Sequence, residues 1–195
     1  YWNFSFLRIG TGGMTAQAYG RDDMSAAAAT LIRSVFVSML IAISCILIQW
    51  AFVDFVFLFV KCSPDVRALA ETYFHIRIWA APATLTLMAL KGWFIGMQNS
   101  VIPMATDLIV NGMNIAGSII LAMGLPAWGF SGIGFPGISV GTVAAQYSGL
   151  LFAVSMLMLR YRKKVFAGFS LKDARESFTG HEMKRFFNLN ADLFI

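Results

Sequence analysis

The chain has 195 residues, of which 58% are hydrophobic and 13% charged, and its formal net charge is +5. A water-soluble domain carries about 25% charged residues and has nowhere to hide so large an apolar excess. The solvent is therefore lipid, which excludes a soluble enzyme, a secreted disulfide module and a nucleic-acid binder.

A membrane-spanning helix needs about 20 mostly apolar residues. Residues 3–18 read as the last part of one helix. They follow an opening Tyr1-Trp2 that lacks an initiator Met, and the chain is expected to be a piece of something longer. Residues 34–60 supply a long apolar stretch interrupted by Gln49 and Asp54. Cys45 and Cys62 lie 17 residues apart on what reads as one helix running just past that stretch, about 25 Å at 1.5 Å per residue. A disulfide tolerates about 7 Å, so both read as free thiols.

Further spans are expected at 73–95, 101–123 and 138–159, and residues 186–195 begin one more. Pro82 falls inside the 73–95 stretch and predicts a kink, because it removes a backbone donor. Asn99 and Ser100 precede Pro103, the signature of a capped helix start, and Gly124-Leu125-Pro126 ends that helix. Gly137-x-x-x-Gly141 with Ala144 and Ala145 makes a small-residue face for close packing. Residues 172–187 read as an interfacial helix. The expected fold is an all-α polytopic membrane protein with four complete transmembrane helices, near 26–60, 66–97, 101–124 and 136–161, flanked by two partial ones.

Charge sorts the loops. Arg21, Arg33, Lys91 and the eight Lys and Arg residues between 160 and 185 fall on one side, eleven against three (Lys61, Arg67 and Arg77) on the other. The positive-inside rule places the larger set in the cytoplasm, which accounts for the basic balance without a polynucleotide partner. The basic cluster at 160–164 is also suited to anionic lipid headgroups.

Charged groups inside a bilayer cost about 2.5–3.5 kcal/mol, so each is a functional candidate. Asp107 is either a proton-accepting carboxylate or, as favoured here, an acid stabilised near a helix amino terminus. Asn111 and Asn114 share its face at i+4 and i+7, suited to coordinating a cation or to interhelical hydrogen bonds. Lys91 reads as a snorkelling side chain in preference to a cavity group. Arg77, His75 and Asp54 read as interfacial, with an Asp54–Lys61 pairing open. Gln17, Gln98 and Gln146 are placed near helix ends as gate or packing contacts, and Pro82 is a cavity or gate candidate. Trp2, Trp79, Trp93 and Trp128 are assigned to an interfacial aromatic belt. Neither a metal-spaced Cys/His set, a phosphate-cradling glycine loop nor a nucleophile–base grouping is present in the sequence.

Four stretches carry a family resemblance: FLRIGTGGMTAQAYGR at 6–21, GWFIGMQNS at 92–100, NGMNIAGS at 111–118 and GTVAAQ at 141–146. In this order they resemble the multidrug and toxic compound extrusion (MATE) family, in its DinF-like branch. The resemblance implies part of a twelve-helix, two-lobe transporter. Residues 1–160 would be the amino-terminal lobe from late helix 2 to helix 6, 161–185 a basic cytoplasmic linker, and 186–195 the start of helix 7. Helix 1 and the second lobe would be the missing partners.

It further implies a non-enzymatic antiporter of the bacterial inner (plasma) membrane, exporting small amphiphilic or cationic compounds in exchange for H⁺ or Na⁺. No cofactor beyond the coupling ion, and no partner beyond membrane lipids and export substrates, is expected. Ser118 stands where several members carry an acid of the cation site, and Thr142 matches a hydroxyl position of that site. The alternatives are a lipid-linked glycan flippase of the same superfamily, disfavoured because Lys91 is the one deep basic residue expected, and an inactive membrane fragment.

The topology has a direct check. In a background lacking Cys45 and Cys62, cysteines placed at Asp22 and Lys163 should label from one side of the membrane, and those at Asp65 and Pro126 from the other. Labelling of positions 22 and 65 from the same side would overturn it.

Overall fold

The computed structural model describes residues 4–60, 63–125 and 129–165. They form six α-helices: α1 (Ser5–Gly20), α2 (Met24–Phe59), α3 (Pro64–Arg77), α4 (Ala81–Gly96), α5 (Val101–Met123) and α6 (Phe135–Val165), with a 3₁₀ turn, Ile78–Ala80, between α3 and α4. Among the described residues four helices are long and apolar enough to cross a membrane: α2, the joined segment Pro64–Gly96, α5 and α6. The one strand-type pairing among them is an isolated antiparallel bridge, Leu125 with Phe130. In hydrocarbon a helix is the fold that satisfies every backbone donor within its own segment.

The helix ends follow local chemistry. Asp23 caps α2, its carboxylate accepting from Ala26 N at 2.9 Å. Ser63 caps α3 through Val66 N, with Pro64 in the first turn. Asn99 Oδ1 accepts from Val101 N at 3.1 Å and Ile102 N at 3.2 Å, and Pro103 occupies a first-turn position where no donor is missed. Gly124 closes α5 at φ +88°, a left-handed conformation that costs a glycine little. The predicted kink is a 3₁₀ step. Pro82 has no N–H to offer the Ile78 carbonyl, and Ala81 N bonds it instead.

The chain divides into two compact units, with boundaries that fall within helices. Unit 1 comprises residues 1–40, 85–106 and 150–195. Its core is α4, where Leu85, Leu90, Trp93 and Phe94 are buried. Gly92 and Gly96 let α1 and α4 meet backbone to backbone. A Cβ on Gly92 would collide with the Arg8 carbonyl, and one on Gly96 would lie 2.6 Å from the Gly12 carbonyl oxygen. Trp93 Nε1 donates to the Ala27 carbonyl at 2.9 Å, and its ring meets Tyr161 edge-on with centroids 5.1 Å apart. Trp93 is therefore a fully buried core anchor, not the belt residue expected: its N–H found a protein carbonyl and had no need of water. Trp79, in contrast, is exposed.

Unit 2 comprises residues 41–84 and 107–149. The expected close-packing face is present: a Cβ on Gly137 would strike the Leu121 backbone, and one on Gly141 would lie 2.6 Å from Ser118 N. At the 3₁₀ break the Trp79 carbonyl accepts from the Tyr147 hydroxyl at 3.0 Å. Cys45 is a free thiol. Cys62, Lys61, Trp2, Pro126, Trp128 and the predicted segments at 172–187 and 186–195 lie outside the described residues. Helix α6 continues to Val165, into the stretch read as linker.

If the glycine contact sets the α1–α4 spacing, Gly92→Ala should destabilise the detergent-extracted protein by about 1–3 kcal/mol through overpacking. Gly13→Ala, where a Cβ meets nothing within 4 Å, should leave the melting temperature unchanged or raise it, since alanine is favoured over glycine inside a helix by about 0.5–1 kcal/mol. Equal melting temperatures for both variants would refute the contact.

Candidate functional site

The backbone contact between α5 and α6 in unit 2 gathers polar groups. A Cβ on Gly117 would sit 3.5 Å from Gly141 Cα, so the neighbouring side chains converge. Thr142, a buried residue, donates to the Ile138 carbonyl at 2.9 Å. Ser118 Oγ lies 3.4 Å from that same carbonyl and 3.3 Å from Asn114 Oδ1. With one proton, Ser118 serves both acceptors only by sharing. Asn114, Ser118, Thr142 and the Ile138 carbonyl thus form a continuous chain of neutral oxygens inside apolar helices. Such oxygens suit a hard monovalent cation or a relay of hydrogen bonds, but they supply no charge of their own.

The other predicted residues fall elsewhere. Asp107 and Asn111 share the α5 face of Asn114 but are exposed, whereas Asn114 and Ser118 are half-buried. The predicted stripe is therefore divided: its last member joins the cluster, and the first two stand on the exposed part of the helix. Gln17 lies exposed in the last turns of α1. Gln98 is exposed in the turn after α4, at φ +59°. Lys91 is half-buried on α4, and Pro82 is half-buried beside the 3₁₀ turn. Gln146 is not near an end, as expected, but inside α6 and half-buried.

Three features escaped the sequence reading. Arg33, counted as a loop charge, lies in α2 and is 3% exposed. It corrects the expectation that Lys91 is the one deep basic residue. A polar row at Thr30, Ser34 and Ser38 in the same helix signalled an inward face: Thr11 Oγ1 donates to Ser34 Oγ at 2.8 Å, and Ser38 Oγ lies 3.4 Å from Thr86 Oγ1. Second, Gln49 is 7% exposed, with Oε1 3.3 Å from His75 Nδ1, and the His75 ring lies 4.2 Å from the Trp50 ring. His75 is thus tied into unit 2, beyond the interfacial role expected. Third, Asn99 uses both ends of its amide. While Oδ1 caps α5, Nδ2 donates to the Tyr161 hydroxyl at 2.9 Å.

The chain is similar to known proteins in sequence and in fold. The family model MatE matches residues 1–120. The "DNA damage-inducible protein F" of Escherichia coli (strain K12) is 30% identical over 190 residues, covering 97% of this chain and 39% of that protein. The "Probable multidrug resistance protein NorM" of Rhizobium meliloti (strain 1021) is 26% identical over 144 residues, covering 74% of this chain and 30% of that protein. The fold matches the solved inward-facing structure of a multidrug resistance MATE family transporter of the MOP superfamily. That match has a TM-score of 0.81 and 18% identity, and it covers 96% of this chain and 40% of the other. The chain thus spans about two fifths or less of the length of these relatives.

Proposed function

The chain belongs to the MATE family of multidrug efflux transporters, and we propose that it forms most of the amino-terminal lobe of an ion-coupled antiporter. In this reading residues 1–160 are the lobe, 161–185 the inter-lobe linker and 186–195 the start of the next helix. The protein is a multi-pass membrane protein, and we place it in the bacterial inner membrane. It exports amphiphilic or cationic compounds in exchange for H⁺ or Na⁺, and performs no enzymatic chemistry.

The observation that carries this reading is the oxygen chain of Asn114, Ser118, Thr142 and the Ile138 carbonyl. Polar side chains in a lipid-embedded helix are retained where they pair or bind. Thr142 pairs closely with the Ile138 carbonyl, but Ser118 pairs only loosely: its two contacts are at 3.3 and 3.4 Å, long for O–H···O bonds that average about 2.7–2.8 Å. A cation or a proton-carrying water entering there would tighten them. Ser118 brings no carboxylate, so charge compensation falls to Asp107, two helical turns before Asn114 on the same face, or to an acid elsewhere in the complete protein.

Asn114→Leu keeps the branched shape and heavy-atom count of the side chain and removes the amide. It should lower efflux of a cationic dye from intact cells by roughly 2- to 13-fold, the worth of one hydrogen bond of about 0.5–1.5 kcal/mol, with membrane expression near normal. Asp107→Asn should have a smaller effect, which varies with external pH if the carboxylate accepts the coupling proton and with external Na⁺ if it compensates a cation. Full efflux by Asn114→Leu at every pH and Na⁺ concentration would remove the cluster from coupling.

A second reading has one observation in its favour. Arg33 is buried in unit 1, where Lys91 is half-buried, and inward cations suit an anionic, lipid-linked glycan substrate. Under that reading, Arg33→Gln should abolish transport of the anionic substrate. Under the efflux reading it leaves export of the cationic dye intact or raises it.

A further inference from the structure

Unit 1 contains a groove of about 540 Å³ between α2, α4 and α6. Leu31 and Val35 line it from α2, Leu90 from α4, and Val154, Leu157 and Met158 from α6. Thr86 is its one polar lining residue, and the Thr86 hydroxyl is placed against Ser38 at 3.4 Å. The groove is open along one side, for Val154 is 37% exposed and Met158 49%. A water molecule would find none of the two to four polar partners it needs there. Between helices that cross a bilayer, the material to fill such a groove is hydrocarbon.

One turn beyond Met158 the character of α6 changes. Arg162 stands at i+4 from Met158 and so continues the same helix face, and Arg160 and Lys163 flank it. All three are exposed. From Val154 to Arg162 is about 12 Å along the helix. Tyr161, in the midst of the cations, is buried, held by the Asn99 amide at 2.9 Å and packed on Trp93, so this end of α6 is fixed in place. Among the described residues the carboxylates of unit 1 are Asp22 and Asp23, and Asp23 is engaged in capping α2.

We propose that this groove binds one anionic phospholipid of the surrounding membrane. An acyl chain lies along α2, α4 and α6, and the phosphate sits at Arg162, the cation that continues the Met158 face. Apolar groove and cationic end together match a molecule with a long hydrocarbon tail and a negative head. The site is independent of the coupling cluster in unit 2 and of the identity of the exported compound. Each Lys or Arg beside an anionic headgroup strengthens association by about fivefold, so the cations decide which phospholipid is held and the groove decides whether one is held.

Native mass spectrometry tests this on the intact protein, released from vesicles of equal phosphatidylglycerol and phosphatidylcholine. One retained phospholipid is expected, enriched at least fivefold in phosphatidylglycerol. Val154→Trp, which fills the groove from an exposed position, should cut retention at least fivefold. Arg162→Gln should keep a lipid but lose most of the preference. If Val154→Trp fails to fold, Met158→Trp does the same service from a still more exposed position. No retained lipid in the unaltered protein, as expected if another protein segment or an export substrate fills the groove, overturns the proposal. So does equal retention of the two phospholipids, or undiminished retention by the groove-filling variant.

Discussion

Helices in hydrocarbon have no hydrophobic reason to associate, because the lipid tails are as apolar as their own leucines. Contact at van der Waals distance is what remains, and this chain obtains it where glycine lets two backbones touch. Gly92 of α4 rests against the Arg8 carbonyl of α1, and Gly141 of α6 against Ser118 N of α5. The second contact is also what assembles the polar cluster. Any side chain at position 141 would wedge α5 from α6 and separate Ser118 from the Ile138 carbonyl that Thr142 shares.

The same poverty of partners governs every polar group. Thr30, Thr106, Thr142, Ser148 and Ser155 each return their hydroxyl proton to a carbonyl four residues back, the local solution open to a hydroxyl inside a helix. The Ala27 carbonyl receives the Trp93 indole, and the Trp79 carbonyl in the 3₁₀ turn receives the Tyr147 hydroxyl. The proline break thus comes with its own external donor. Ser118 departs from this pattern: its hydroxyl reaches forward to the Ile138 carbonyl of α6 as well as back to the Asn114 amide oxygen, with one proton for the two.

Much of the fold was legible in residue order. Span lengths, the Asn99 cap, the Gly124 stop and the Gly137–Gly141 face all follow from local chemistry that operates within a few residues, and each is present. What hydropathy cannot convey is which way a side chain faces. Arg33 raised the loop count on one side of the membrane but is buried within α2, and Trp93 resembled a belt residue until its N–H met the Ala27 carbonyl. The stripe Asp107–Asn111–Asn114 was legible as a shared face. That only Asn114 joins the cluster depends on where Gly141 brings α6 alongside, which is a tertiary fact.

Helix α2 runs 36 residues, about 54 Å at 1.5 Å per residue, and its apolar part from Ser34 to Phe59 alone measures about 39 Å by the same rise. The hydrocarbon slab is about 30 Å thick. The helix therefore exceeds the slab by several ångström and must lean steeply or thicken the bilayer around it, at fractions of a kcal/mol per ångström of mismatch. The rings at its far end, Phe55 and Phe59, are exposed and would be left in water by an upright pose. Bilayer thickness thereby becomes a mechanical variable for this protein: a thicker membrane stands α2 up, and a thinner one lays it down.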